Sequence, residues 1–161
     1  MTDAPESRAA EPSGPTLAAK VVGGLQWAVT AAYVFLLGLL AATWYLHLTR
    51  TPAAVDLSRP FAVVVLAAFA AGYAWVATRP VTPGAHDRRI EVVVTLLVLG
   101  FLFPFAVPRL LDLTGAAPPV PDFGFGLAYA LALAVSYGLV YGLGARFFLG
   151  PARSERREFR E

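Results

Sequence analysis

The sequence predicts an all-α, polytopic membrane protein: an antiparallel bundle of four transmembrane helices with both termini on the cytoplasmic side. Three observations predict it. Of 161 residues, 57% are hydrophobic and only 15% charged, against about 25% charged in an ordinary soluble domain. The apolar residues are gathered into four long stretches bounded by charges, a pattern that suits a bilayer better than a water-soluble core. When those stretches are folded back and forth, the basic residues collect on one side, as cytoplasmic loops require.

A helix rises about 1.5 Å per residue, so about 20 apolar residues cross a hydrocarbon core of about 30 Å. Residues 1–19, rich in Pro, Ser, Glu and Ala, read as a disordered tail. The membrane domain then occupies 20–150. Its first span, 21–46, carries no charged residue in 26 positions. That is far longer than the roughly 7–15 apolar residues of a secretory signal, so the span is expected to be retained. The second, 60–78, is charge-free over 19 positions and opens on Pro60, which a first helical turn tolerates.

The third span, 91–111, is the weakest. Its charge-free part, Val92–Pro108, has 17 residues and contains Pro104 and Pro108. Glu91 and Arg109 flank it and are long enough to reach water from inside the interface. The fourth, 123–146, runs from Phe123 to Arg146. Asp87 and Asp122 stand where they can cap the third and fourth helices, and Gly150-Pro151 follows the fourth as a stop. Trp27, Trp44, Tyr45, Tyr73 and Trp75 lie toward span ends, where amphipathic rings favour the interface. Residues 151–161 mix Arg with Glu and read as a solvated tail.

Orientation follows from the basic residues. Arg8, Lys20, Arg79, Arg88, Arg89, Arg146, Arg153, Arg156, Arg157 and Arg160 share one side, and Arg50, Arg59 and Arg109 the other. A split of ten against three puts both termini inside and makes the cell membrane the expected location. Twelve of the thirteen basic residues are Arg, which suggests high-GC coding and a prokaryotic source.

Several chemistries have no residues to carry them. There is no cysteine, hence no disulfide, thiolate metal site or thiol catalysis. The net charge of +2 gives no footprint for nucleic acid. No ionisable side chain falls in mid-membrane, where transport and proton paths place them; the most polar side chains there are Gln26, Thr30, Thr43, Thr95 and Ser136. His47 and His86 fall on opposite sides and cannot share a haem or metal. No cofactor, no metal and no enzymatic activity are expected.

Two sets of residues stand out. Pro104, Pro108, Arg109 and Asp112 form an unusual segment in which the prolines free backbone carbonyls and Arg109 can meet Asp112 one turn away. With Tyr137 and Tyr141 on the fourth span, they make up the candidate polar site. Ala134, Gly138 and Gly142 form a small-residue stripe, the candidate helix-packing face, which serves either the chain's own helices or a second chain. Further small residues recur at Gly24, Ala28 and Ala32 and at Ala68 and Gly72. The expected function is that of a non-enzymatic accessory, scaffold or assembly subunit working through helix association. Its partners are the bilayer and either another membrane protein or further copies of itself. The alternative is a small transporter or channel using the segment around Arg109.

A faint internal echo is also present. Leu48-Thr49, a Pro/Ala loop and Val55-Asp56 precede the second span; Leu113-Thr114, a Pro/Ala loop and Val120-Pro121-Asp122 precede the fourth. Two helix hairpins of like orientation would be related this way, as in parallel repeats.

Overall fold

A computed structural model describes residues 14–50, 57–80, 82, 84–115 and 117–142. Four helices account for nearly all of them: α1 (Leu17–Thr49), α2 (Ser58–Ala77), α3 (Ala85–Leu113) and α4 (Phe123–Tyr141). Each is long and apolar enough to cross a membrane. The protein is all-helical and, by the length and composition of those helices, a multi-pass membrane protein. The end of the fourth expected span (143–146), Gly150-Pro151 and the tail segments 1–13 and 151–161 lie outside the described residues.

Helix ends depart from the charge-to-charge boundaries because local capping, not hydropathy, sets them. Thr16 caps α1, its hydroxyl oxygen accepting from the Ala19 N–H at 3.2 Å; Leu17–Ala19, expected in the tail, are therefore helical. At the other end Arg50 turns left-handed (φ 54) and its N–H meets the carbonyls of His47 and Leu46. Asp87 does not cap α3. That position belongs to Gly84 at φ 72, and Asp87 lies in the first turn, where a carboxylate still complements the helix dipole. Asp122 does occupy the N-cap of α4, but at φ 55 its side chain makes no capping bond. Side-chain capping needs an extended cap residue; here the Asp122 carbonyl alone accepts, from Phe125 and Gly126. α3 runs unbroken through Pro104 and Pro108, which leaves the carbonyls of Gly100 and Pro104 without their usual donors.

α1 is the shared element. It packs along α2 and also touches α3 and α4, while α3 packs along α4 and α2 touches neither α3 nor α4. Gly23 meets Gly72 and Val76, Gly24 lies under Phe69, and Phe35 stacks edge-on to Phe61 at 5.4 Å. Residue numbers rise on α1 as they fall on α2, so the two run in opposite directions. With Phe61 opposite Phe35, α2 begins near the level of Leu39. The last ten residues of α1, Leu40–Thr49, continue about 15 Å beyond it. There Trp44 leans on the start of α4. Its ring sits over Gly126 and 5.9 Å from Phe123, and its indole N–H donates to the Pro121 carbonyl at 2.6 Å.

At the other end of α1, Trp27 and Trp75 pair at 5.9 Å, and the Arg79 guanidinium lies 3.7 Å over the Trp75 ring. An Arg over an indole, where the span gives way to polar sequence, suits an interfacial anchor. Between these ends the interior is formed by Val92, Leu96 and Gly100 of α3 and by Ala128, Ala132, Ser136 and Val140 of α4, each series spaced four residues apart and buried. Phe101, Leu102 and Phe105 of α3 face outward, as lipid-facing residues do.

Candidate functional site

The most developed polar cluster joins α1 to α4. Gln26, Thr30 and Tyr33 stand at i, i+4 and i+7, so they share one face of α1. Opposite them on α4 are Tyr137 and Tyr129. The Thr30 hydroxyl donates to its own helix at the Gln26 carbonyl, 2.7 Å away. Its hydrogen is thereby used, so the 2.6 Å contact with Tyr137 has the phenol donating and Thr30 Oγ1 accepting. The Gln26 amide nitrogen donates in turn to the Tyr137 oxygen at 3.4 Å. Two turns toward the Trp44 end, Tyr33 packs edge-on to Tyr129 at 5.6 Å and donates to the Leu96 carbonyl of α3 at 3.4 Å. Tyr33 thus touches both α3 and α4.

Chemically this is a closed set of hydrogen bonds between neutral groups. It clasps α4 to α1, and its worth is that of interhelical bonds in a membrane, about 0.6 kcal/mol on average and up to about 1.7. A double-mutant cycle on Thr30→Val and Tyr137→Phe should return a coupling of about 1 kcal/mol in detergent unfolding; purely additive effects would mean the bond contributes nothing. Ser136 is the exception in the set. It is fully buried and its hydroxyl has no partner, a condition that costs about 1–3 kcal/mol. Ser136→Ala is therefore expected to leave stability unchanged or raise it, and a fall of 1 kcal/mol or more in the same assay would contradict that geometry.

The residues singled out in the sequence do not form one site. Pro108 packs against Gly124 at the start of α4, and Tyr137 lies thirteen residues further along that helix, about 20 Å away. Arg109 and Asp112 are both exposed and form no ion pair with each other; two exposed charges gain too little from pairing to hold it. Tyr137 and Tyr141 do stack, at 6.0 Å and 23°, with Tyr141 facing outward. The α1 half of the clasp was the part not foreseen. Its signal was present in the spacing of Gln26, Thr30 and Tyr33, a polar stripe on a helix that is otherwise apolar.

Small residues divide into two groups. Gly23, Gly24, Ala28 and Gly72 are buried where α1 meets α2. Ala134, Gly138 and Gly142 are exposed, and a Cβ added to Gly138 would meet nothing. α4 turns a different stripe inward, through Gly126, Ala128, Ala132, Ser136 and Val140, so among the described residues Ala134, Gly138 and Gly142 face away from the other helices. Among the described residues no three of His, Cys, Asp and Glu cluster as metal ligands. His86 has a buried Nδ1 without a partner.

No family model, curated protein or solved structure matches the chain. Its own residues carry the functional reading.

Proposed function

We propose that this protein resides in the cell membrane with both termini in the cytoplasm, its spans arranged as an antiparallel four-helix bundle, and that it acts by associating with another membrane protein or with further copies of itself. The distribution of Arg and Lys supports the orientation. What carries the functional reading is the outward Ala134-x-x-x-Gly138 pair on α4, with Gly142 exposed just past the helix end. Apolar side chains gain nothing from meeting each other rather than lipid, so helix association in a membrane depends on small residues that let backbones approach. Among the described residues, none of the chain's own helices covers this surface. A transport reading has no comparable support, since the proline segment and the tyrosines lie about 20 Å apart along α4.

The absence of native cysteine makes the test direct. A Gly138→Cys variant in native membranes is expected to cross-link to a partner under mild oxidation or with a bifunctional maleimide, and native mass spectrometry of the tagged protein should show the same complex. Gly138→Ile should reduce that complex about tenfold or more and leave the melting temperature of the chain itself unchanged. A lone monomer in both experiments would sink the association reading.

A further inference from the structure

α1 and α2 carry no acidic residue in their described length, 14–50 and 57–80, yet each brings a cation to the same end of the pair. The contacts fix where those cations stand. Gly23 meets Gly72 and Val76, and Gly24 meets Phe69, so the side of α1 between Gly23 and Gly24 faces α2. At about 3.6 residues per turn, Lys20 and Trp27 fall on that same side. The helices run in opposite directions, so Lys20 on α1 and Arg79 after α2 are each three residues past the Gly23–Val76 contact. The Arg79 guanidinium lies 3.7 Å over Trp75, whose ring pairs with Trp27 at 5.9 Å. Two cations thus converge beneath one pair of indole rings.

Nothing beside them balances this charge. Among the described residues, neither the Lys20 ammonium nor the Arg79 guanidinium has a hydrogen-bond or ion-pair partner. Arg88 and Arg89 differ. α3 runs alongside α1 in the same direction, since Tyr33 meets Gly100 while Trp44 and Pro108 both reach the start of α4; these arginines therefore lie at this end too. They have Asp87 and Glu91 within a turn of them in α3. Trp27 and Trp75 are 40% and 44% exposed, so the aromatic pair opens sideways, where lipid lies when the helices cross a membrane.

We propose that Lys20 and Arg79 together hold the phosphate of an anionic phospholipid, whose glycerol end lies along Trp27 and Trp75. The occupant follows from charge and place. Two unbalanced cations at a membrane surface attract anionic lipid, and exposed indoles at the end of an apolar span sit at headgroup level. The inference needs the helices to cross a membrane; it is independent of which side this end faces and of the association proposed above.

Bromine quenching reads the site directly, because Trp27 and Trp75 border it and Trp44 lies toward the opposite end of α1. The full chain is placed in vesicles of phosphatidylcholine with a minor share of phosphatidylglycerol, bromine near the glycerol being carried by one lipid or the other. In Trp44→Phe, phosphatidylglycerol should quench well beyond its share of the bilayer; with Trp27 and Trp75 replaced by Phe, quenching of Trp44 should follow that share. Lys20→Gln and Arg79→Gln should each lower the preference about fivefold, with melting temperature kept, and Arg79→Lys should retain most of it. Arg88→Gln should change it by less than about twofold. Native mass spectrometry of the parent protein from the same lipids, which should retain one phosphatidylglycerol, serves as the second measurement should Trp44→Phe not fold. No preference for phosphatidylglycerol, an equal preference at Trp44, or a fall in Arg88→Gln as large as in Arg79→Gln overturns the proposal, leaving only annular lipid gathered by the general basic charge of this end.

Discussion

Gly72→Val is expected to strip α2 from the rest of the protein. An added Cβ at Gly72 would lie 2.6 Å from the Gly23 carbonyl oxygen and 2.7 Å from Trp27 Cγ. One is backbone and the other the root of an indole already paired with Trp75, so neither can yield locally. The helices must separate, and among the described helices α2 has no second partner to fall back on, because it touches α1 but neither α3 nor α4. Overpacking usually costs about 1–3 kcal/mol; with an entire helix interface displaced, about 3 kcal/mol or more is expected. Gly38→Val is the control, since a Cβ at Gly38 meets nothing. In detergent, thermal unfolding should drop sharply for the first and hold for the second. Paired cysteines at Phe35 and Phe61 should cross-link in the parent and fail to do so in Gly72→Val. Equal melting of all three proteins would mean that α1 and α2 are not in close backbone contact.

The second large effect is at Gly126→Val. A side chain there runs into the six-membered ring of Trp44, and the indole has to leave. Its departure breaks the 2.6 Å bond to the Pro121 carbonyl and the stacking on Phe123. Overpacking of about 1–3 kcal/mol and one hydrogen bond of about 1 kcal/mol together set the loss at about 2–4 kcal/mol. Trp44 reports it directly: with Trp27 and Trp75 replaced by Phe, its emission should shift to longer wavelength as the ring moves into water. Trp44→Ala should make Gly126→Val far less damaging, because residues in contact are not additive. Full additivity would place Trp44 elsewhere.

The four spans were legible in the sequence because transfer from water to hydrocarbon is a property of each helix on its own. Val21–Leu46 needs no partner to be recognised. The faces by which the helices meet were not legible, since α4 is apolar all round and two of its small-residue stripes are equivalent by composition. Ala134, Gly138 and Gly142 carry the familiar spacing, yet Gly126, Ala128, Ala132 and Ser136 face inward. Helix ends were missed by a turn or so for a different reason: the Thr16 side-chain cap and the left-handed backbone of Gly84 and Arg50 set them, and hydropathy measures neither. As for the candidate site, Tyr137 was identified, but its partners Gln26 and Thr30 lie 111 and 107 residues away, and no local pattern connects such distant positions.

That α2, among the described helices, docks on α1 alone bears on how the protein is made. A ribosome delivers α1 to the membrane first, and α2 leaves the translocation machinery with that docking surface already in place. α3 next finds Tyr33 waiting on α1, and α4 then closes on both. After α1, each described helix meets a neighbour that precedes it in synthesis, so α2, α3 and α4 need not wait in lipid for a later one before they can be held.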